Sequence, residues 1–218
     1  MSLRRFLVIA FVVLLAPLGL AAPEKWAAAI DKFTQADSVK PPARDGVVFV
    51  GSSSIVKWAT LQQDFPGLNA INRGFGGSEL ADSVYYADRI VIPYHPRVVV
   101  VYAGDNDLQN GTSAEGVHAS FQALCAKIHA ALPRTRIVYI AIKPSPSRLK
   151  LIDRIRTANT LISATCARDP RLAFADIYTP MLDSQGAPRP ELFVKDMLHL
   201  NPAGYAVWVP VVKALLKP

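Results

Sequence analysis

The sequence has two cysteines, no cluster of basic residues, no internal repeat, and no apolar run of the roughly 20 residues a membrane span requires. Each absence closes a door. No cysteine directly follows the first apolar run, so a lipid-modified N-terminal cysteine is not expected. The basic residues are scattered and no nucleic-acid motif is present, so nucleic acid is not an expected partner. At 51% hydrophobic and 19% charged, without repeats, the chain is neither disordered, collagen-like nor a repeat array.

What is present begins with a leader. Arg4 and Arg5 precede an apolar stretch at residues 6–20, with Gly19 and Ala21 in a small-x-small arrangement. This is the three-part pattern of a secretory signal peptide. Residues 1–21 are expected to be removed, leaving one globular domain at 22–218 in the periplasm or the medium. An uncleaved anchor is the alternative, and the shortness of the run speaks against it. The formal charge of +7 falls to +5 without Arg4 and Arg5. That modest positive field suits peripheral contact with anionic envelope surfaces, although solubility alone accounts for it. Cys125 and Cys166 both fall in expected helices, where free, packed thiols are favoured over a disulfide.

Beyond the leader, two periodicities alternate. Residues 24–36 read as a short helix stopped by the prolines of "KPPARD". Residues 47–50 form a continuous apolar run, as in a strand covered on both faces. Helical patterning follows at 55–64, a strand at 68–72, and a helix at 78–90. "RVVVVYAG", residues 97–104, is the strongest strand, and its lack of alternation predicts a central position. A helix at 113–131, a strand at 136–142, a helix at 148–168, a strand at 172–177 and a helix at 202–216 complete the series. Five alternations imply an α/β domain, a doubly wound parallel sheet between helical layers. In such folds, sites lie at the carboxyl ends of the strands.

The five loops at that end hold the polar residues of interest. Gly51 and three serines, 52–54, follow the first strand. "NRGFGGS" follows the second, "GDND" the third and "KPSPSR" the fourth. The segment ending "DMLHLN" follows the fifth. Asp196 and His199, three apart, suit a carboxylate that fixes an imidazole as a base. One of Ser52, Ser53 and Ser54 can supply the hydroxyl such a base would activate, while another caps the helix. Gly76 and Gly77 allow backbone amides to approach a ligand, and Asn106 offers a neutral side-chain donor. Asp105 and Asp107 are too sparse a ligand set for a metal site. Trp58, Tyr85 and the "KPSPSR" loop read as packing aromatics and plain surface.

Taken together, "FVGSSSI", "NRGFGGS", "GDND" and "DMLHLNPAGY" occur in an order that resembles the SGNH hydrolases, the GDSL family of esterases and lipases. The resemblance implies a flavodoxin-like three-layer fold with strand order 2-1-3-4-5. It implies Ser53 as nucleophile, His199 as base and Asp196 as its partner. The oxyanion donors it implies are the Ser53 amide, the Gly77 amide rather than that of Gly74 or Gly76, and the Asn106 side chain. Ser52 and Ser54 depart from the family's usual aspartate and leucine. No metal or organic cofactor is implied. No insertion long enough for a lipase lid is visible, so the expected substrates are short acyl, chiefly acetyl, esters, for instance on carbohydrates. Lysophospholipids or longer-chain esters are the enzymatic alternative. A module binding phosphate or acylated sugar without catalysis, or a cell-wall protein with a vestigial site, are the others. The natural substrate and the oligomeric state are not legible in the sequence.

Overall fold

The computed structural model describes residues 23–216, so the leader expected at 1–21 lies outside them. A 3-10 turn, Pro23–Trp26, leads into α1 (Ala27–Val39). β1 (Val47–Gly51) is followed by two short helices, α2 (Ser53–Val56) and α3 (Leu61–Asp64). Then come β2 (Ala70–Gly74), α4 (Leu80–Ile90), β3 (Val98–Tyr102), α5 (Asp105–Gln109) and α6 (Ala114–Ala131). β4 (Arg136–Ile140), α7 (Ile152–Cys166), β5 (Leu172–Ala175) and α8 (Pro202–Leu215) close the series.

The five strands form one parallel sheet in the order β2-β1-β3-β4-β5. The apolar runs of β1 and β3 are continuous because both faces are covered. Val48, Val50, Val99 and Val101 pack with residues of α1, α4, α6 and α7 on one face. Val47, Phe49, Val98, Val100 and Tyr102 pack on the other with Trp58, Phe65 and the α8 residues Tyr205, Trp208 and Val212. Each such side chain contributes roughly 1.5–3 kcal/mol on leaving water, which makes this the sheet's least yielding part.

Register then sets the site. Gly51 pairs with both Gly74 and Tyr102, so β1, β2 and β3 end at one level. From β1 the chain turns outward to β2 and then crosses back to β3. The loops after β1 and β3 therefore part at this switch point, where open α/β sheets place their ligands.

Two expected helices differ. The run at 55–64 splits into α2 and α3 because Trp58 drops into the core, where its indole N–H donates to Asp64 at 2.7 Å. The run at 148–168 begins instead with a 3-10 segment, Pro146–Leu151, in which Arg148 departs from helical geometry at φ −121°, ψ 26°. Both cysteines are free and buried, and burial pushes each thiol up to about 12.

Candidate active site

Gly51 ends β1 at φ +135°, and a Cβ there would lie 1.9 Å from the Tyr102 carbonyl oxygen. Only glycine permits this turn. The Ser52 amide then donates to that same carbonyl at 2.9 Å, and Ser53 begins α2. The three serines are thereby sent in different directions. Ser52 is fully buried, and its hydroxyl has no hydrogen-bond partner among the described residues. Ser54 is also buried, with its Oγ 3.3 Å from the Lys143 ammonium. Ser53 alone faces an imidazole: its Oγ lies 3.0 Å from Nε2 of His199.

His199 stands on a loop that folds back tightly on itself. The Val194 amide donates to the His199 carbonyl at 2.8 Å, and the Met197 amide to the Val194 carbonyl at 2.9 Å. Met197 takes φ +56°, a left-handed conformation a side chain resists. That turn lets Asp196 Oδ1 accept from the amides of Leu198 and His199, both at 2.9 Å. Its Oδ2 meets Nδ1 of His199 at 2.6 Å. The imidazole, then the backbone amides, hold the Asp196 carboxyl well below its usual range. An ionised carboxylate at this position keeps the proton on Nδ1 and leaves the Nε2 lone pair aimed at Ser53.

On the other side of Ser53 lie the glycines. Gly77 (φ +77°) closes a turn in which the Ser78 amide donates to Phe75 at 3.3 Å. A Cβ on Gly76 would lie 3.8 Å from the Ser53 Cβ, so this turn abuts the hydroxyl. Trp26 packs on the far side of Gly77, with its ring 3.3 Å from where a Cβ would be. Gly74 is the last residue of β2, and a Cβ on it would strike the Val56 amide at 2.6 Å. Among the described residues the amides of Ser53 and Gly77 meet no protein acceptor. Asn106 joins the same cluster, its Nδ2 donating to the Ser78 carbonyl at 3.0 Å. A hydroxyl, a base, a carboxylate and neutral N–H donors thus converge, the requirements for attack on a carbonyl with relief of the resulting oxyanion.

Asp105 and Asp107 take unrelated partners. Asp107 Oδ1 accepts from the Leu80 amide at 3.0 Å and so ties α5 to the start of α4. Burial pushes its carboxyl up to about 7. Asp105 Oδ2 instead accepts from Lys143 at 2.8 Å and from the Tyr102 hydroxyl at 3.1 Å. Among the described residues no group of three His, Cys, Asp or Glu side chains is placed to hold a metal ion.

The "KPSPSR" segment is not plain surface. Lys143 is buried beneath the serine loop, and Arg148 turns inward so that Nη2 donates to Oδ1 of Asn106 at 3.0 Å. A sequence signal for Lys143 existed: a lysine closing the apolar run at 137–142, level with the aspartate that follows the neighbouring strand. Arg148 carried no such signal. Trp58 is core as expected, and Tyr85 is exposed.

The family model of the GDSL-like lipase/acylhydrolases matches residues 43–207. No curated protein sequence matches the chain. Solved structures do. A GDSL-like lipase from Bacteroides thetaiotaomicron superposes with TM-score 0.72 at 21% identity, covering 86% of this chain and 97% of that one. A variant of an acetyl-xylooligosaccharide esterase from Geobacillus gives 0.64 at 14%, covering 79% and 94%. A carbohydrate esterase family 3 protein from Talaromyces cellulolyticus gives 0.64 at 17%, covering 78% and 95%. At such identities the likeness to these structures is one of fold.

Proposed function

The chain belongs to the GDSL-like lipase/acylhydrolase family, and from that premise we propose that it is an exported serine esterase acting on short acyl, chiefly acetyl, esters. The observation that carries this reading is the line of contacts from Asp196 through His199 to the Ser53 hydroxyl, at 2.6 and 3.0 Å. In it, Ser53 Oγ attacks the ester carbonyl as His199 Nε2 takes its proton. The carbonyl electrons move onto oxygen, where the Ser53 and Gly77 amides and the Asn106 carboxamide donate. Collapse expels the alcohol, which receives the proton from His199. Water, deprotonated by the same imidazole, then releases the acyl group and restores Ser53.

Acetyl specificity is favoured by the short loops after β1, β2 and β3 and by the acetyl-xylooligosaccharide esterase among the structural neighbours. Export is supported by the charged, apolar and small-residue order of the first 21 residues. The test is Ser53→Ala, assayed with chromogenic acetate and octanoate esters. The variant folds as the parent does and loses at least about 10⁴-fold in kcat. Full activity in the variant would remove Ser53 from the reaction, and a faster octanoate than acetate reaction in the parent would remove the short-chain assignment. A fluorophosphonate adduct on Ser53 counts against the non-catalytic binding module.

A further inference from the structure

We infer that Arg148 is a positioning residue that fixes which end of the Asn106 carboxamide faces the substrate. The inference rests on Asn106 being an oxyanion donor, as proposed above.

A carboxamide is nearly symmetric in shape. Rotated by half a turn it presents an oxygen where an NH₂ stood, and an oxygen facing a developing oxyanion repels it. Something must therefore set the orientation. The Ser78 carbonyl contributes, accepting from Nδ2 at 3.0 Å. Arg148 contributes at the other end, donating from Nη2 to Oδ1 at 3.0 Å. A guanidinium has only donors, so it accepts no NH₂ in that place.

Arg148 is in turn held. Its side chain is 10% exposed, and Nη1 lies 3.5 Å from Asp105 Oδ2. That carboxylate is clamped by Lys143, which is 1% exposed, and by the Tyr102 hydroxyl. Burial alone would raise the Asp105 carboxyl, but Lys143 and Arg148 more than offset this and hold it below its usual value. Lys143 also reaches Tyr102 at 2.8 Å and the Ser54 hydroxyl at 3.3 Å, so the same ion cluster underlies the residue next to the nucleophile. The backbone shows the accommodation: the helical run breaks at Arg148, which lets this side chain turn toward Asn106.

The test is a double-mutant cycle on the full-length protein. Hydrolysis of a chromogenic acetate ester is measured for the parent, Arg148→Met, Asn106→Ala and the double variant, per active site titrated to completion with a fluorophosphonate. Arg148→Met lowers kcat about 10- to 100-fold, with KM changed by less than about threefold. Asn106→Ala lowers it about 10²- to 10³-fold, and adding Arg148→Met to it costs nothing more. A merely structural arginine would slow both backgrounds equally, and that result overturns the proposal. So does a kcat for Arg148→Met within about twofold of the parent. Asn106→Ala at the parent's rate would overturn the oxyanion assignment itself, and this proposal with it. If Arg148→Met does not fold, Arg148→Lys takes its place under the same criteria, since it keeps a cation beside Asp105 without the two-pronged reach.

Discussion

Two carboxylates flank the serine loop, each beside a nitrogen base, and they are built in opposite ways. Asp196 is 48% exposed and is held by one imidazole and two backbone amides on a surface loop. Asp105 is 6% exposed and is held by a lysine, a tyrosine and an arginine beneath the sheet's edge. The exposed pair sits where a proton can pass and where solvent softens each change of charge. The buried pair has no such freedom, because separating its charges in the interior costs several kcal/mol. The contrast teaches a division of labour for the esterase proposed above: the outer pair would change its protonation during turnover, and the inner one would keep it.

Three changes sharpen or break that contrast. The largest effect is expected from Asp196→Asn, which leaves the loop folded but no longer fixes the imidazole tautomer. It lowers kcat by roughly 10²- to 10⁴-fold while stability moves by less than about 1 kcal/mol, as steady-state kinetics and urea unfolding on the same sample will read. Comparable losses of stability and rate would mean that the outer pair is structural too. Next is Lys143→Met, which keeps the volume but strands the Asp105 carboxylate. Unfolding free energy falls by about 3–5 kcal/mol, and adding Asp105→Asn restores part of it. A shift within about 0.5 kcal/mol would deny the inner pair its structural role. The smallest effect is at Asp107. Its folded-state value of about 7 lies above that of an unfolded aspartate, about 3.9. The folded protein therefore holds the proton more tightly, and the stability so gained is complete below about pH 4 and lost as pH rises through about 7. Asp107→Asn keeps an acceptor for the Leu80 amide and removes the charge, so thermal melts between pH 4 and 8 should show a flatter decline than in the parent. An unchanged slope would place the titration elsewhere.

Much of the fold was legible because strand and helix leave different periods in the apolar residues. All five strands lie where those periods put them, with ends displaced by a residue or two, and the order 2-1-3-4-5 that the family resemblance implied is the one observed. The helix boundaries were less legible. Nothing in the spacing of residues 55–64 reveals that Trp58 breaks the helix to reach the core, because that choice depends on Phe49, Phe65, Tyr205 and Trp208 closing around it. At the site, Asp196, His199 and Asn106 stood out in the loops after strands, the family resemblance implied Ser53 among three serines and Gly77 among the glycines, and the structure brings the five together. Arg148 did not stand out. Its role depends on a departure from helical geometry at one residue and on a contact with Asn106, 42 positions away.

The distance along the chain between Ser53 and His199 has a consequence for folding. Ser53 and His199 are separated by 146 positions, and the Tyr205 hydroxyl from α8 donates to the Ser54 carbonyl at 2.8 Å. Until the segment carrying His199 and α8 docks on the sheet, the serine loop has no imidazole beside it, so the Ser53–His199 pair on which the proposed esterase depends is a product of tertiary folding and of no local stretch of chain.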